Sequence, residues 1–460
     1  MSETSHQGAQ PARLLSASAA VALIVGIVIG AGIFKTPALV AGISGDAGWA
    51  LAIWVAGALI SMAGALCYAE LCTTYPHAGG DYHFLRRAFG RDLAFLYAWA
   101  RATIINTGSI ALLAFVFGDY FSTLLPLGAH ASAIWALLIV LALTLVNTAG
   151  IHASSRMQMV LITLEVAGLL AVVVAGLWFG DAAAPASLSW FEKVPPAGAF
   201  GLALVFVLLT FGGWNEAAYV SAEIKGGPRA MVRVIVLSML ALTVIYLLVN
   251  LALLWGLGQA GLSGSKTAAS NLVGLAFGPW AEKALGLSVA VAALTSINAT
   301  MIVGARTNFA LGRDWASLQA LGQWQTKLGA PRKALWAQAV ISIALVFLGM
   351  QEADGFSSMV EFTAPVFWGF LFLVGVAVMW LRQTDPFAPR PFKVPLYPLL
   401  PLVFCAACAW LTYSSISYAI SQKAIHVSGW LIASGILAWL FLRWREAHHN
   451  ASETQGTAEL

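Results

Sequence analysis

Charge is scarce in this chain of 460 residues: Asp, Glu, Lys and Arg together make up 10% of it, where a soluble domain carries about 25%. Cysteine is scarce as well, with four in all. Cys67 and Cys72 lie in or at the end of one apolar stretch, and Cys405 and Cys408 form a C-x-x-C inside another. Thiols so placed read as small packing residues, so neither a disulfide nor a metal site is expected. The chain has no H-E-x-x-H, no G-x-S-x-G and no pair of acids at hydrolytic spacing. That argues against an enzyme, with no catalytic residues and no cofactor to expect. The first residues show no basic segment followed by a short apolar run and a small-residue cleavage site, so no signal peptide is expected. What remains is apolar. Hydrophobic residues make up 60% of the chain and its mean hydropathy is +0.82, the composition of an integral membrane protein.

Apolar runs of about 20 residues, long enough to cross a bilayer, recur along the whole chain. Twelve helical spans are expected, over residues 14–40, 48–71, 92–124, 131–148, 157–179, 198–223, 230–257, 284–311, 334–350, 358–381, 396–420 and 425–444. Nineteen Lys and Arg residues fall on the side that holds both ends of the chain. Only Lys35, Lys193, Lys266, Lys283 and Lys423 fall on the other. By the positive-inside rule both termini are expected in the cytoplasm. The net charge of +4 follows from that bias and calls for no nucleic-acid partner.

Span 1 contains Val25-Gly26-Ile27-Val28-Ile29-Gly30-Ala31-Gly32-Ile33-Phe34. Each interior glycine weakens a helix by about 1 kcal/mol relative to alanine, so three of them at mid-bilayer depth mark a place for the helix to open. Freed backbone groups are tolerated in hydrocarbon only where they line a cavity or meet a ligand. Span 6 repeats the feature in Thr210-Phe211-Gly212-Gly213-Trp214-Asn215-Glu216. Spans 1 and 6 open two consecutive five-helix units, residues 14–180 and 198–382, and the odd number of spans inverts the second unit against the first. Spans 11 and 12 (396–444) and the tails 1–13 and 445–460 complete the chain. Glycine-interrupted spans at matching places in two inverted halves point to a transporter's midplane site. For span 1 alone, close packing through Gly26-x-x-x-Gly30 is the alternative.

The break also suggests a substrate. A half-helix starting near Gly32 aims the N–H groups of Ala31, Gly32 and Ile33 into the gap, a positive end suited to a carboxylate. The carbonyls of Ile27, Val28, Leu209, Phe211 and Gly212 can accept an ammonium group. An α-amino acid carries both groups on one carbon.

Five stretches in order carry a family resemblance: Gly30-Ala31-Gly32-Ile33-Phe34; Tyr68-Ala69-Glu70-Leu71 running on to Tyr75-Pro76-His77-Ala78-Gly79-Gly80-Asp81-Tyr82; Gly212-Gly213-Trp214-Asn215; Ser296-Ile297-Asn298-Ala299-Thr300 through Ala305-Arg306; and Arg390-Pro391-Phe392-Lys393-Val394-Pro395. With these the chain resembles the amino acid-polyamine-organocation superfamily, within it the L-type (LAT-like) amino-acid transporters and their bacterial members. The resemblance implies an all-α polytopic membrane protein of LeuT-like fold, with a 5+5 inverted repeat, spans 1 and 6 unwound, and two C-terminal helices. It implies alternating-access transport of amino acids, neutral L-amino acids first, across a bacterial inner membrane. The α-carboxylate is expected on Gly30, Ala31 and Gly32, and the amine on carbonyls of Val28, Leu209 and Gly212. Phe211, Gly213, Trp214, Asn215 and Glu216 are expected around the side chain and gate. Three departures stand out. Ala31 replaces the hydroxyl residue of many relatives, and Leu209 stands where L-type members often carry the gating aromatic. Between Phe121 and Ala131 there is no cysteine of the kind that links animal members to a glycoprotein heavy chain, so no such partner is expected.

Two acids carry sharper expectations. Glu165, deep in span 5, stands where many relatives have lysine, an amine that resembles a substitute for a sodium ion between span 1 near Gly26 and a hydroxyl on span 8. That hydroxyl is expected to be Ser296, with Thr295 beside it. Intramembrane acids are expensive and usually functional, and desolvation raises a carboxyl pKa towards the range where it cycles protons. Proton coupling, a sodium ligand and a purely structural hydrogen bond all remain open for Glu165. Glu216 either faces the substrate side chain or caps the resumed half-helix of span 6. Glu70, Arg101 and Arg306 are expected in inner-gate or interface pairs, Asn106 and Asn298 in interhelical hydrogen bonds, and Glu361 in a solvated outer vestibule. Three rival functions are a channel, which needs charge rings or carbonyl filters, a polyamine carrier and a cationic amino-acid carrier.

Overall fold

The computed structural model describes residues 21, 25, 28–77, 80–149, 155–183, 188–214, 227–324, 331–352, 354–423 and 425–458. Every regular element among them is a helix. In chain order these are α1 (Gly32–Ser44), α2 (Ala47–Thr74), α3 (Gly80–Phe89), α4 (Arg91–Ser122), α5 (Ala131–Thr148), α6 (Ser155–Ala183) and α7 (Ala197–Thr210). They continue as α8 (Gly227–Ser263), α9 (Ala268–Phe277), α10 (Pro279–Asp314), α11 (Arg332–Gly349), α12 (Gly355–Thr384), α13 (Leu399–Ser421) and α14 (Ile425–Ala458). Nine helices among the described residues are long and apolar enough to cross a membrane: α2, α4, α5, α8, α10, α11, α12, α13 and residues Ile425–Arg445 of α14. They correspond to nine of the twelve expected spans. Spans 1, 5 and 6 are represented by the shorter apolar segments Gly32–Ser44, Thr163–Phe179 and Ala197–Thr210. The chain is an all-α polytopic membrane protein.

Three features differ from the spans read off hydropathy. The short helices α3 and α9 are additional elements, too short to show against the long apolar runs around them. Helix α4 contains a π turn at Arg101–Ile105. The last helix continues past the apolar run through the polar tail to Ala458.

The described residues cluster into two compact units. Residues 1–88, 173–264 and 371–409 form one, and residues 89–172, 265–370 and 410–460 the other. Each takes helices from both 14–180 and 198–382. In the first unit α1 packs on α7 and α8, and α2 packs on the same two helices. In the second, α4 packs on α5 and α10, and α11 on α4 and α5. Small residues allow the close approaches: a Cβ on Gly57 of α2 would lie 2.4 Å from Val207, and one on Gly108 of α4 would lie 2.0 Å from Thr363.

The connection that sets α1 against α2 is two residues long. Gly45 takes the left-handed conformation, φ 66°, that ends α1 and donates its N–H to Ala41. Only glycine adopts it without a Cβ penalty. Asp46 then caps α2, accepting from the backbone N–H of Trp49 at 3.0 Å. The same carboxylate accepts from Phe191 at 3.0 Å and Glu192 at 3.1 Å, so it pins the segment before α7 to the start of α2. Burial works against its charge, but these backbone hydrogen bonds hold the carboxyl below its ordinary range.

At the other end of α2, Glu70 is 2% exposed. Arg382 grips it with both nitrogens, Nε to Oε1 at 2.7 Å, while the Val394 N–H donates to Oε2 at 2.7 Å. Arg390 lies 3.7 Å away and donates to the carbonyls of Leu381, Asp385, Pro386 and Ala388. The expected pairing of Glu70 is thus made within one unit. Arg101 is buried and donates to the Tyr97 hydroxyl at 2.9 Å, and Arg306 is exposed. One placement overturns its expectation: Glu361 is 8% exposed rather than solvated, because it is packed within α12. Lys35 is buried in α1 at 3% exposure.

Candidate functional site

The glycine-rich stretch of span 1 is not helical throughout. The Ile29 N–H still reaches Val25 at 2.7 Å, but the Gly30 N–H turns back to Val28 at 2.8 Å, and α1 starts only at Gly32. Its N-cap is Ala31, with no side-chain cap. The first amides of a 13-residue apolar helix are therefore presented by backbone alone, at the positive end of its dipole.

Span 6 opens in the same unit. Helix α7 stops at Thr210, and Phe211–Gly213 form a turn in which the Phe211 N–H reaches Val207 at 2.9 Å and the Gly212 N–H reaches Leu209 at 3.0 Å. Gly213 sits at φ 103°, which an L side chain rarely adopts. This explains why the second glycine of the pair is there.

Two polar ties hold the openings together. The Tyr246 hydroxyl of α8 donates to the Val28 carbonyl at 2.9 Å and lies 3.3 Å from the Thr210 carbonyl. The hydroxyls of Thr36 and Thr210 are 2.7 Å apart, and a Cβ on Gly32 would sit 3.5 Å from the Thr210 hydroxyl. Behind them lies an aromatic wall. Phe211 is fully buried, 4.9 Å from Tyr246 and 5.9 Å from Trp54.

The sequence-derived residues sort by exposure. Gly30, Gly32, Leu209, Gly212 and Gly213 are half-buried, whereas Val28, Ala31, Phe211 and Trp214 are buried. The accessible lining is therefore mostly glycine backbone. The methyl of Ala31 is turned into the protein, and Trp214 packs edge-on against Tyr68 at 5.0 Å. Gly26, Ile27, Asn215 and Glu216 lie outside the described residues. Tyr246, Thr36, Thr210 and Trp54 are the residues that sequence reasoning missed. Tyr246 had a signal: a tyrosine hydroxyl in mid-span needs an acceptor, and a broken helix offers carbonyls.

In the second unit, Glu165 of α6 is 3% exposed. Its Oε1 lies 3.3 Å from the hydroxyl of Thr295 on α10, which also donates to the Ala292 carbonyl at 2.8 Å. Oε2 has no partner among the described residues. Thr295 supplies the contact, while Ser296 is half-buried and its carbonyl accepts from Thr300 at 2.9 Å. Three residues on, Asn298 accepts from Asn147 at 2.7 Å, an interhelical bond between α10 and α5. Among the described residues no group of three or more His, Cys, Asp or Glu side chains is placed to hold a metal ion.

Both interruptions thus lie in one unit, joined through the Tyr246 and Thr36–Thr210 contacts. In comparison with known proteins, residues 15–441 match the amino acid permease family. The chain belongs to that family. The family consists of transporters, not enzymes. The chain is 27% identical over 404 residues to the serine/threonine exchanger SteT of Bacillus subtilis, covering 86% of this chain and 90% of that protein. It is 26% identical over 434 residues to the mouse b(0,+)-type amino acid transporter 1, covering 92% and 87%. It is 28% identical over 405 residues to the human large neutral amino acids transporter small subunit 2, covering 84% and 72%. This permease and its relatives support an amino acid as the molecule carried.

Proposed function

We propose that the permease is a secondary active transporter of neutral L-amino acids, working by alternating access in a bacterial cytoplasmic membrane with both termini inside. The observation that carries this reading is the pair of facing openings: the uncapped first turn of α1 at Ala31–Gly32, and the carbonyl end of α7 at Leu209–Gly212. The α-carboxylate takes the N–H groups of Ala31 and Gly32, the Gly30 N–H being spent on Val28, and the α-ammonium takes carbonyls of the two ends. The half-buried glycines give the substrate backbone close approach. The substrates in the relatives' names, serine and threonine for one and large neutral amino acids for another, support a neutral side chain. The inverted repeat of 14–180 and 198–382 and the count of twelve spans belong to the same proposal.

Coupling is assigned to a proton on Glu165. Thr295 has one hydroxyl hydrogen, and the Ala292 carbonyl at 2.8 Å, which can only accept, takes it. That leaves Glu165 only a 3.3 Å contact from the Thr295 hydroxyl and a buried Oε2 with no partner among the described residues, surroundings that support an acid carrying a proton.

The test is uptake of labelled substrate into proteoliposomes against a panel of all amino acids, with and without a pH gradient and with and without sodium. Neutral L-amino acids should compete and carboxyl-blocked esters should not. Competition by esters or polyamines would remove the carboxylate seat from the reading. Dominance by lysine or arginine would make the permease a cationic carrier, and flux without saturation or counterflow would make it a channel.

A further inference from the structure

A cavity of about 530 Å³ lies in the first unit, away from the two openings, where α2 ends and the chain leaves α12. Its walls include Tyr75, His77, His83, Arg87, Asp385 and Phe387. The rings of His77 and His83 stack with centroids 4.2 Å apart and planes 11° from parallel. The Arg87 guanidinium lies over the Tyr75 ring at 4.5 Å and pairs with Asp385 at 2.8 Å. The Tyr75 hydroxyl donates to the same carboxylate at 3.2 Å. Two stacked imidazoles and the Arg87–Asp385 pair thus line the cavity, with the charge of Arg86 acting on His83. Burial first, then the charges of His77, Arg87 and Arg86, push His83 down to about 4. Such a cluster gains from a ligand that brings negative charge, because an anion offsets the positive charges that add to burial in holding the His83 ring deprotonated.

The surroundings say where that anion comes from. Phe387, in the cavity wall just beyond the end of α12 at Thr384, is 96% exposed. Large apolar side chains so exposed beside the end of a membrane span sit at the level of lipid headgroups, and basic pockets at that level bind anionic headgroups. We propose that this cavity binds the phosphate of an anionic phospholipid, with His77, His83 and Arg87 around the phosphate and Phe387 at the acyl edge. Binding takes up a proton on His83, so it strengthens as pH falls. The other titrating groups keep their charge near neutrality. Burial pushes Tyr75 up, and hydrogen bonds from Arg87 and Tyr75, with Arg390 nearby, hold Asp385 down.

Titrate the purified full chain with short-chain phosphatidylglycerol, phosphatidylcholine and glycerol 3-phosphate at pH 6 and pH 8, reading bound lipid by native mass spectrometry. Phosphatidylglycerol should bind at least fivefold tighter than phosphatidylcholine, and at least fivefold tighter at pH 6 than at pH 8. The double variant His77→Gln, His83→Gln should lose both preferences while amino-acid exchange stays within twofold. Equal binding of the two lipids, or a double variant with wild-type preference and pH dependence, overturns the proposal. Glycerol 3-phosphate binding as tightly as phosphatidylglycerol overturns the lipid source. Should the double variant not fold, Phe387→Ser replaces it, and undiminished phosphatidylglycerol binding there is equally fatal. Lipid binding is read without transport, so failure here leaves the transport assignment untouched.

Discussion

At the scale of single residues, two buried polar side chains, Glu165 and Tyr246, carry the sharpest predictions. Glu165 was legible as an oddity, an acid at mid-span. Its partner was not fully legible, since hydropathy cannot say which of Thr295 and Ser296 turns towards α6. If the acid carries the coupling proton, Glu165→Gln keeps the shape and the contact to Thr295 but cannot cycle a proton. Uphill uptake driven by a pH gradient should vanish while exchange stays within about threefold of wild type. Wild-type accumulation in that variant would leave Glu165 a structural residue. Tyr246 acts differently. Its hydroxyl donates to the Val28 carbonyl at one opening and lies 3.3 Å from the Thr210 carbonyl at the other, so Tyr246→Phe should misplace the acceptors of the substrate's ammonium. Losing one hydrogen bond of about 1 kcal/mol predicts a KM raised roughly fivefold with a smaller change in maximal rate, measured by initial-rate uptake. An unchanged KM would make Tyr246 a packing residue.

At the scale of elements, the breaks were readable because glycine clusters contradict the helix around them. Additions that need no local contradiction were not: α3, α9 and the π turn in α4. The glycines themselves proved to have different duties. Gly32 abuts Thr210 and leaves room at the start of α1, whereas Gly213 is required by its φ of 103°. Gly213→Ala should therefore cost about 1–2 kcal/mol of stability, seen as a lower melting temperature in detergent, and Gly32→Ala should lower substrate affinity more than stability. The Asp46 cap is an element-scale device as well. Asp46→Ala removes three backbone acceptor contacts and should cost about 2 kcal/mol at pH 7. Because the folded carboxyl titrates below its unfolded value of 3.8, the stabilisation is present above that value and is lost as pH falls through the folded one. The melting gap between wild type and variant should hold from pH 7 to about 5 and close in more acidic buffer. A gap independent of pH would place the effect in packing.

At the scale of the whole molecule, sequence order and spatial grouping part company. The two five-helix units read from the chain are consecutive, yet each compact unit draws on both, so contacts that hold a unit together join residues far apart in number. Glu70 and Arg382 are 312 positions apart, and no local pattern announces them as partners. Their exposures are 3% and 17%, so the pair is buried, and burial sets how it should respond to mutation. Removing one partner of a buried pair leaves a charge without its counter-ion and costs about 3–5 kcal/mol, whereas replacing both with apolar residues is far milder. Arg390, already held by four carbonyls, loses little in either case. Glu70→Leu should therefore lower the melting temperature more than Glu70→Leu combined with Arg382→Leu, although the double variant removes more polar contacts. If the double variant is as unstable as the single one or more so, the node works through the Val394 backbone bond and not through its charges.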